Sequence, residues 1–318
     1  MPAAAKTRRE SGMAKIQLHG WLAIDKSAGM TSAQVVTEVR RLTSAHKAGH
    51  GGTLDPLATG ILPVALGEAT KTVSFVMDGL KNYRFTVRWG ERRDTDDSEG
   101  KVIRVSEKRP NSTQISAVLP KFRGEIMQKP PTYSAKKVGG KRAYQLARAA
   151  QQVDLVPRPI LIRRLRLVEV LDVDHSSFEL ECGKGTYVRA LARDIGVELG
   201  TQGHVSALRR TRVGPFTLDK AISLAQLKVL NDSASLDGWL LPLIEGLAAL
   251  PNLKINADQA GRLQQGQAIP LANAPVGKDG VPLEAPAVLC AVLAARPVAL
   301  VNFHRGEIRP SRVFNYSL

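Results

Sequence analysis

Cysteine is nearly absent from this sequence. Only Cys182 and Cys290 occur, 108 positions apart and with no CxxC pair. A disulfide framework and a zinc ribbon are excluded, and a reducing cytosol suits the chain. Long hydrophobic runs are also missing. The longest, Ala287–Ala295, has nine residues, against the roughly 20 that a membrane helix needs. The first twenty residues hold no hydrophobic segment, so no secretory signal or membrane anchor is expected and the location reads as cytoplasmic. Tyrosine is scarce, at five residues, and acids are outnumbered 29 to 45 by Lys and Arg.

What is present is ordinary globular material, 43% hydrophobic and 23% charged, enough for a packed core. The 318 residues predict about two domains. The net charge of +16 is unevenly spread. Residues 101–150 carry 12 basic and 2 acidic side chains, whereas residues 51–100 carry 6 and 8. A concentrated excess points to a polyanionic partner, most commonly nucleic acid; the bland alternative is a solvated lysine-rich face.

Along the chain, residues 1–19 read as a flexible basic tail. Gly20–Asp25 predicts a buried strand, and Ser32–Ser44 a helix with Val35, Val36, Val39 and Leu42 on one face. A glycine-rich stretch, AGHGGTLDPLATG, follows at 48–60. Ile61–Leu66 predicts a strand and Glu68–Met77 a helix. Asn82–Trp89 alternates Tyr83, Phe85, Val87 and Trp89 against Arg84 and Arg88, the period of a half-buried strand. Asp94–Gly100 reads as an acidic turn before a strand, Val102–Val105, and Ser112–Phe122 as a helix. Gly124–Arg142, with two prolines and five basic residues, reads as a basic loop outside the core. Ile160–Leu171 and Ser177–Cys182 predict a hairpin, Thr186–Leu199 an amphipathic helix and Val205–Arg210 a basic strand. Short strands at Val288–Leu293, Val298–Phe303 and Ile308–Val313 predict a small β-rich C-terminal module.

Familiar cofactor motifs fail on inspection. Leu54 stands where a dinucleotide fingerprint after Gly49-x-Gly51 needs glycine, and Gly183-Lys184-Gly185 breaks a P-loop. His46 and His50 are four apart, but Lys47 replaces the glutamate of a metalloprotease, so no metal is expected. Asp55-Pro56 can cap a helix, with Asp55 at the N-cap and Pro56 at the first turn. Alternatively, Gly49, Gly51 and Gly52 admit a large ligand and leave His50 and Asp55 as its chemical groups. A carboxylate in a closed pocket needs a cation to stay ionised. Arg189, beside Val188 and Leu191, offers a guanidinium that needs a partner of its own.

Several strings together resemble the TruB family of bacterial pseudouridine synthases, which act on the T-loop of tRNA. They are GHGGTLDPLATG (49–60), LGEATK (66–71), Lys81-Asn82-Tyr83-Arg84, DTDDSEG (94–100), PTYSAK (131–136), GKGTYVR (183–189) and HVSALRR (204–210). The resemblance spans about residues 20–230. It implies an α/β fold with a mixed, mainly antiparallel central sheet and flanking helices. It divides the chain into a catalytic domain at 20–247, a basic thumb insertion at about 122–158 and a PUA-like β-rich domain at 248–318. It makes Asp55 the catalytic aspartate, Arg189 its partner, and Tyr83 the residue that packs on the target base and takes its carbon-5 proton. Tyr187 and Leu208 would line the uracil pocket, and His50 would fill the gap left in the RNA stack. Lys129, Lys136, Lys137, Lys141 and Arg142 of the thumb would meet the RNA backbone. One departure is Ser27, where the family's early Asp-Lys-Pro-x-Gly has proline.

The implied activity is isomerisation of the uridine at tRNA position 55 to pseudouridine. The C1′–N1 bond breaks, the base rotates and carbon 5 re-forms the bond. Nothing is oxidised or added, so no cofactor is expected. The expected partner is tRNA, through T-loop and T-stem, for a monomer with no obligate protein partner. A non-catalytic tRNA-folding chaperone and a guide-dependent subunit are the alternatives.

Overall fold

In a computed structural model, the structure describes residues 18–133, 137–138, 141–142, 155–232, 236 and 238–316. A ten-stranded sheet organises the chain. Its main path runs Ala221–Ile222, Gly20–Lys26, Thr59–Leu66, Gly203–Val213, Lys81–Trp89, His175–Cys182, Arg158–Val170 and Gly124–Gln128. Gly20–Lys26 is parallel to Ala221–Ile222, and Thr59–Leu66 to Gly203–Val213. The other neighbours on this path are antiparallel. The expected mixed, mainly antiparallel α/β sheet is the one that forms.

The central strands are covered on both faces, which is why they read as unbroken apolar runs. Leu22, Ile24, Leu62 and Val64 join the core with Val35 and Val39 of helix Ser32–Thr43 and Leu191 and Ile195 of helix Val188–Glu198. Trp21, Ala23, Ile61 and Ala65 face the other way, toward Leu243, Leu247, Cys290, Leu300 and Phe314. Strand Lys81–Trp89 buries only one face. Phe85, Val87 and Trp89 point inward and Phe85 stacks on Phe178 at 5.2 Å, while Arg84 is solvated beside Glu179. Helix Ser32–Thr43 opens on a capping box between Thr31 and Gln34 and ends at Ser44 in the left-handed region, φ 50°.

The C-terminal strands form a separate five-stranded sheet in the order Asn252–Lys254, Ala287–Leu293, Arg296–His304, Glu307–Val313, Ile269–Pro270. Leu263, Leu289, Val298, Val301 and Ile308 give it a core of its own. Among the described residues no helix is long and apolar enough to cross a membrane.

Two local readings change. The segment expected as one helix at 68–77 begins as a tight 3-10 turn, Gly67–Thr72, and becomes α-helical only over Val73–Asp78. Gly124–Gln128 is an edge strand paired with Arg158–Ile162 rather than loop. Its exposed Glu125 and Met127 hide the alternation that reveals a strand in sequence. The expected acidic turn at 94–100 forms, and within it Asp96 and Asp97 are buried. Of the expected tail, residues 1–17 lie outside the described residues, as do 134–136, 139–140 and 143–154 of the expected thumb.

Candidate active site

The loop carrying Asp55 leaves strand Ala48–His50 and returns as strand Thr59–Leu66. No helix follows Pro56. Instead the Ala58 amide donates to the Asp55 carbonyl at 3.1 Å, a tight turn with proline at its second position, so the helix-cap reading of Asp55 is set aside. Three buried side chains immobilise this loop. Ser32 Oγ accepts from the Leu54 amide at 2.8 Å and donates to the Leu54 carbonyl at 2.9 Å. Lys26 Nζ donates to the carbonyls of Ser27, Met30 and Pro56 at 2.9, 2.7 and 3.1 Å. Arg210 donates to the carbonyls of Ile61, Thr53 and Gly52 at 2.8, 3.2 and 2.9 Å. Ser27 therefore stands in a loop that Lys26 and a Gly29-to-Pro56 bond already tie to the Asp55 turn.

The glycines do less for a ligand than their bareness suggests. A Cβ on Gly51 would come within 2.8 Å of Val76 Cγ1, and one on Gly60 within 2.1 Å of the Arg210 carbonyl oxygen. These two positions serve internal packing. Gly52, at φ +130°, borders the cavity described below.

Arg189 is the second residue of helix Val188–Glu198 and is only 6% exposed. Its Nε donates to Asp55 Oδ2 at 2.9 Å, with Asp97 Oδ2 3.5 Å away. Nη1 donates to the Thr95 carbonyl at 2.8 Å and Nη2 to the Tyr133 carbonyl at 3.0 Å. The guanidinium is thus fixed on every side before it meets Asp55. Asp97 is oriented in turn by the Thr95 hydroxyl at 2.6 Å and the Glu99 amide at 3.0 Å.

Asp55, whose side chain is 34% exposed, opens onto a cavity of about 620 Å³. Tyr83, Tyr187, Leu208, Arg189, Arg210 and Lys81 are among its walls. That volume suits a ligand of nucleotide size. Tyr187 is anchored through its backbone, its amide donating to Gln128 Oε1 at 2.9 Å and its carbonyl accepting from Gln128 Nε2 at 3.1 Å. Burial pushes the Tyr83 phenol above its ordinary range, against the pull of neighbouring Arg210. Burial also lowers the Lys81 ammonium to about 8, although its Nζ donates to the Met77 and Gly79 carbonyls.

A buried arginine and an accessible carboxylate, with two tyrosines and a leucine around a nucleotide-sized cavity, is the arrangement that the motif resemblance implied. Residues 40–188 match the family model for the TruB family pseudouridylate synthase N-terminal domain, and residues 189–248 that of the tRNA pseudouridylate synthase B C-terminal domain. The chain belongs to the TruB family of pseudouridylate synthases. It is 54% identical to tRNA pseudouridine synthase B of Bradyrhizobium diazoefficiens over 94% of this chain and 86% of that protein. The corresponding Nitrobacter winogradskyi protein is 52% identical over 95% and 84%. A Cbf5-Nop10-Gar1 complex contains a chain with TM-score 0.72 at 24% identity, covering 95% of this chain and 86% of that one; this is a likeness of fold. As a TruB-family member the chain is a pseudouridine synthase enzyme.

Of the residues singled out in sequence, Asp55, Tyr83, Arg189, Tyr187 and Leu208 meet at this one cavity. His50 ends the short strand opposite Val64 and is not among the cavity walls. Lys129 has an exposed side chain, and its carbonyl accepts from Arg193 at 2.8 Å. The backbones of Lys137–Val138 and Lys141–Arg142 pair as a short ribbon, whereas Lys136 lies outside the described residues. Sequence reasoning overlooked Arg210, Lys81, Asp97 and Gln128. The first three sit inside the strings at 204–210, 81–84 and 94–100, so the signal was present without a role attached. Gln128 sits in none of them.

Proposed function

We propose that this TruB-family enzyme converts uridine to pseudouridine in tRNA, at the T-loop uridine of tRNA position 55. The observation that carries the proposal is the Asp55–Arg189 pair, 2.9 Å apart and open to a nucleotide-sized cavity. Its relatives' shared name, tRNA pseudouridine synthase B, supports tRNA as the substrate. The uridine leaves its stack, at a cost of a few kcal/mol that stacking and phosphate contacts offset, and His50 takes the vacated place. In the cavity the base packs against Tyr83, with Tyr187 and Leu208 around it.

Asp55 then acts on the ribose, by attack at C1′ or by removal of the 2′ proton; the C1′–N1 electron pair leaves with the base. Arg189 holds the carboxylate in place and aimed through its 2.9 Å contact. After the base turns, C1′ rejoins carbon 5, and Tyr83 removes the proton from that carbon. Because burial keeps the Tyr83 phenol protonated, this step draws on a small ionised fraction and quickens with rising pH. The basic residues Lys129, Lys136, Lys137, Lys141 and Arg142 hold the RNA backbone. The two thiols, Cys182 and Cys290, are buried and unpaired, which supports the cytosol as compartment.

The test is the purified protein, alone, on an unmodified tRNA transcript. Pseudouridine at position 55 is expected without guide RNA or added protein. No product, or product elsewhere only, would remove the assignment, and product that depends on an added RNA guide would favour a guide-dependent subunit.

A further inference from the structure

Among the described residues five cations border the cavity: Lys81, Arg158, Lys184, Arg189 and Arg210. Three are spent on the protein itself. Arg189 holds Asp55 and two carbonyls, Arg210 holds three carbonyls, and Lys81 holds two. Arg158 and Lys184 differ. The Arg158 side chain has no hydrogen-bond or ion-pair partner among the described residues and is exposed at the start of strand Arg158–Val170. Lys184 has one partner, Asp78 Oδ1 at 3.0 Å, in a pair whose side chains are 68% and 58% exposed. Such an exposed pair contributes little and yields readily to a stronger anion.

The scaffold under both residues is rigid. Arg158 lies directly opposite Gln128, the residue that clamps both backbone groups of Tyr187. Lys184 sits at the tip of a tight turn with Gly185 at φ +80°. That turn is tied back by the Gly183 amide donating to the Leu161 carbonyl at 2.8 Å and by Thr186 Oγ1 donating to the Gly183 carbonyl at 3.2 Å. One unpaired and one weakly paired cation thus stand on fixed mounts beside the cavity onto which the less exposed Asp55 opens. A nucleotide inside an RNA chain carries a phosphodiester on each side of its sugar, and a nucleoside carries none.

We propose that Arg158 and Lys184 grip the phosphodiesters flanking the everted nucleotide, and that Lys184 exchanges Asp78 for phosphate as the nucleotide enters. They are positioning residues, distinct from the thumb lysines, and the proposal rests on the reading of the Asp55 cavity as the uridine site.

The experiment compares Arg158→Ser, Lys184→Ser, the double variant, Arg158→Lys and Asp78→Asn with wild type on the unmodified tRNA transcript. KM, the single-turnover rate at saturating RNA and the salt dependence of RNA affinity are measured, with urea melts confirming a wild-type fold. Each serine variant is expected to raise KM roughly tenfold and to flatten the log–log salt slope by roughly 0.7–0.9. The saturating rate should stay within about twofold of wild type, since a phosphate contact far from the reacting atoms is made equally in the ground and transition states. Arg158→Lys should restore most of the affinity, and Asp78→Asn, which frees Lys184, should lower KM. Unchanged KM and slope in the double variant, or a lost saturating rate at unchanged KM, would overturn the grip. A KM that rises in Asp78→Asn would overturn the exchange. A wild-type protein inactive on tRNA would defeat the parent reading instead, and the binding slopes of the same variants would still decide this one.

Discussion

Arg189 and Arg193 stand one turn apart on the same helix and meet nearly the same chemistry with different outcomes. Each is buried, each bonds a carboxylate at 2.9 Å, and each donates to a loop carbonyl from the Thr95–Tyr133 region. Asp96, the partner of Arg193, is 6% exposed, and burial raises its carboxyl above the ordinary range despite the guanidinium. Asp55, the partner of Arg189, is 34% exposed and faces the cavity. Each arginine also has a second carboxylate, Asp194 at 2.8 Å from Arg193 and Asp97 at 3.5 Å from Arg189. A buried guanidinium therefore makes either a structural rivet or a reactive centre, and what separates them is whether the carboxylate keeps one side open.

The comparison can be broken most sharply at Asp55. Asp55→Asn is expected to lower turnover by roughly four orders of magnitude or more, with RNA affinity and urea stability close to wild type. Asp96→Ala should do the reverse. It leaves Arg193 short of a buried partner, at a cost of about 3–5 kcal/mol in urea unfolding, with the surviving folded protein still active. Equal stability losses in the two variants would erase the distinction drawn here.

Arg189→Lys keeps the charge but loses the fork that also holds the Thr95 and Tyr133 carbonyls. Turnover on tRNA should fall roughly 100-fold as Asp55 loses its aim. Arg193→Lys should change melting rather than turnover. Lys81 supplies a third case, a buried cation bonded to carbonyls, with no carboxylate in an ion pair with it among the described residues. Its pKa falls in the folded state, so the folded chain binds that proton less tightly than the unfolded one. The stability it carries is present above about 10.5 and is lost as pH drops through about 8. Relative to Lys81→Met, wild type should therefore gain up to about 3 kcal/mol between pH 7 and pH 10.5, read from urea melts across that range. A pH-independent difference would place the ammonium in contact with water.

The legible parts of the molecule were those with local causes. The alternation of Phe85, Val87 and Trp89 marks its strand because one face is packed and the other wet. The helix at Ser32–Thr43 announces itself through its apolar stripe. Gly124–Gln128 escaped notice because an edge strand with a solvated outer side need not alternate. The acidic turn at 94–100 is legible, but the burial of Asp96 and Asp97 is not, because a charged string carries no mark of the guanidiniums that meet it. Asp55 is singled out by its motif, yet Asp55-Pro56 taken alone reads first as a helix cap.

Sequence alone settled the polyanion-seeking charge, the two kinds of sheet segment, the absence of a familiar cofactor motif and the motif set that carries the family resemblance. These follow from composition and short spacings, which are written along the chain. Folding alone decided that residues 55 and 189, separated by 134 positions, meet as an ion pair 2.9 Å apart. It also decided that Arg210 and Lys26 turn inward to hold carbonyls, and that Arg158 and Lys184 are left with charge to spare. The partner of a buried ion is chosen by which strands lie side by side, and no local periodicity records that choice.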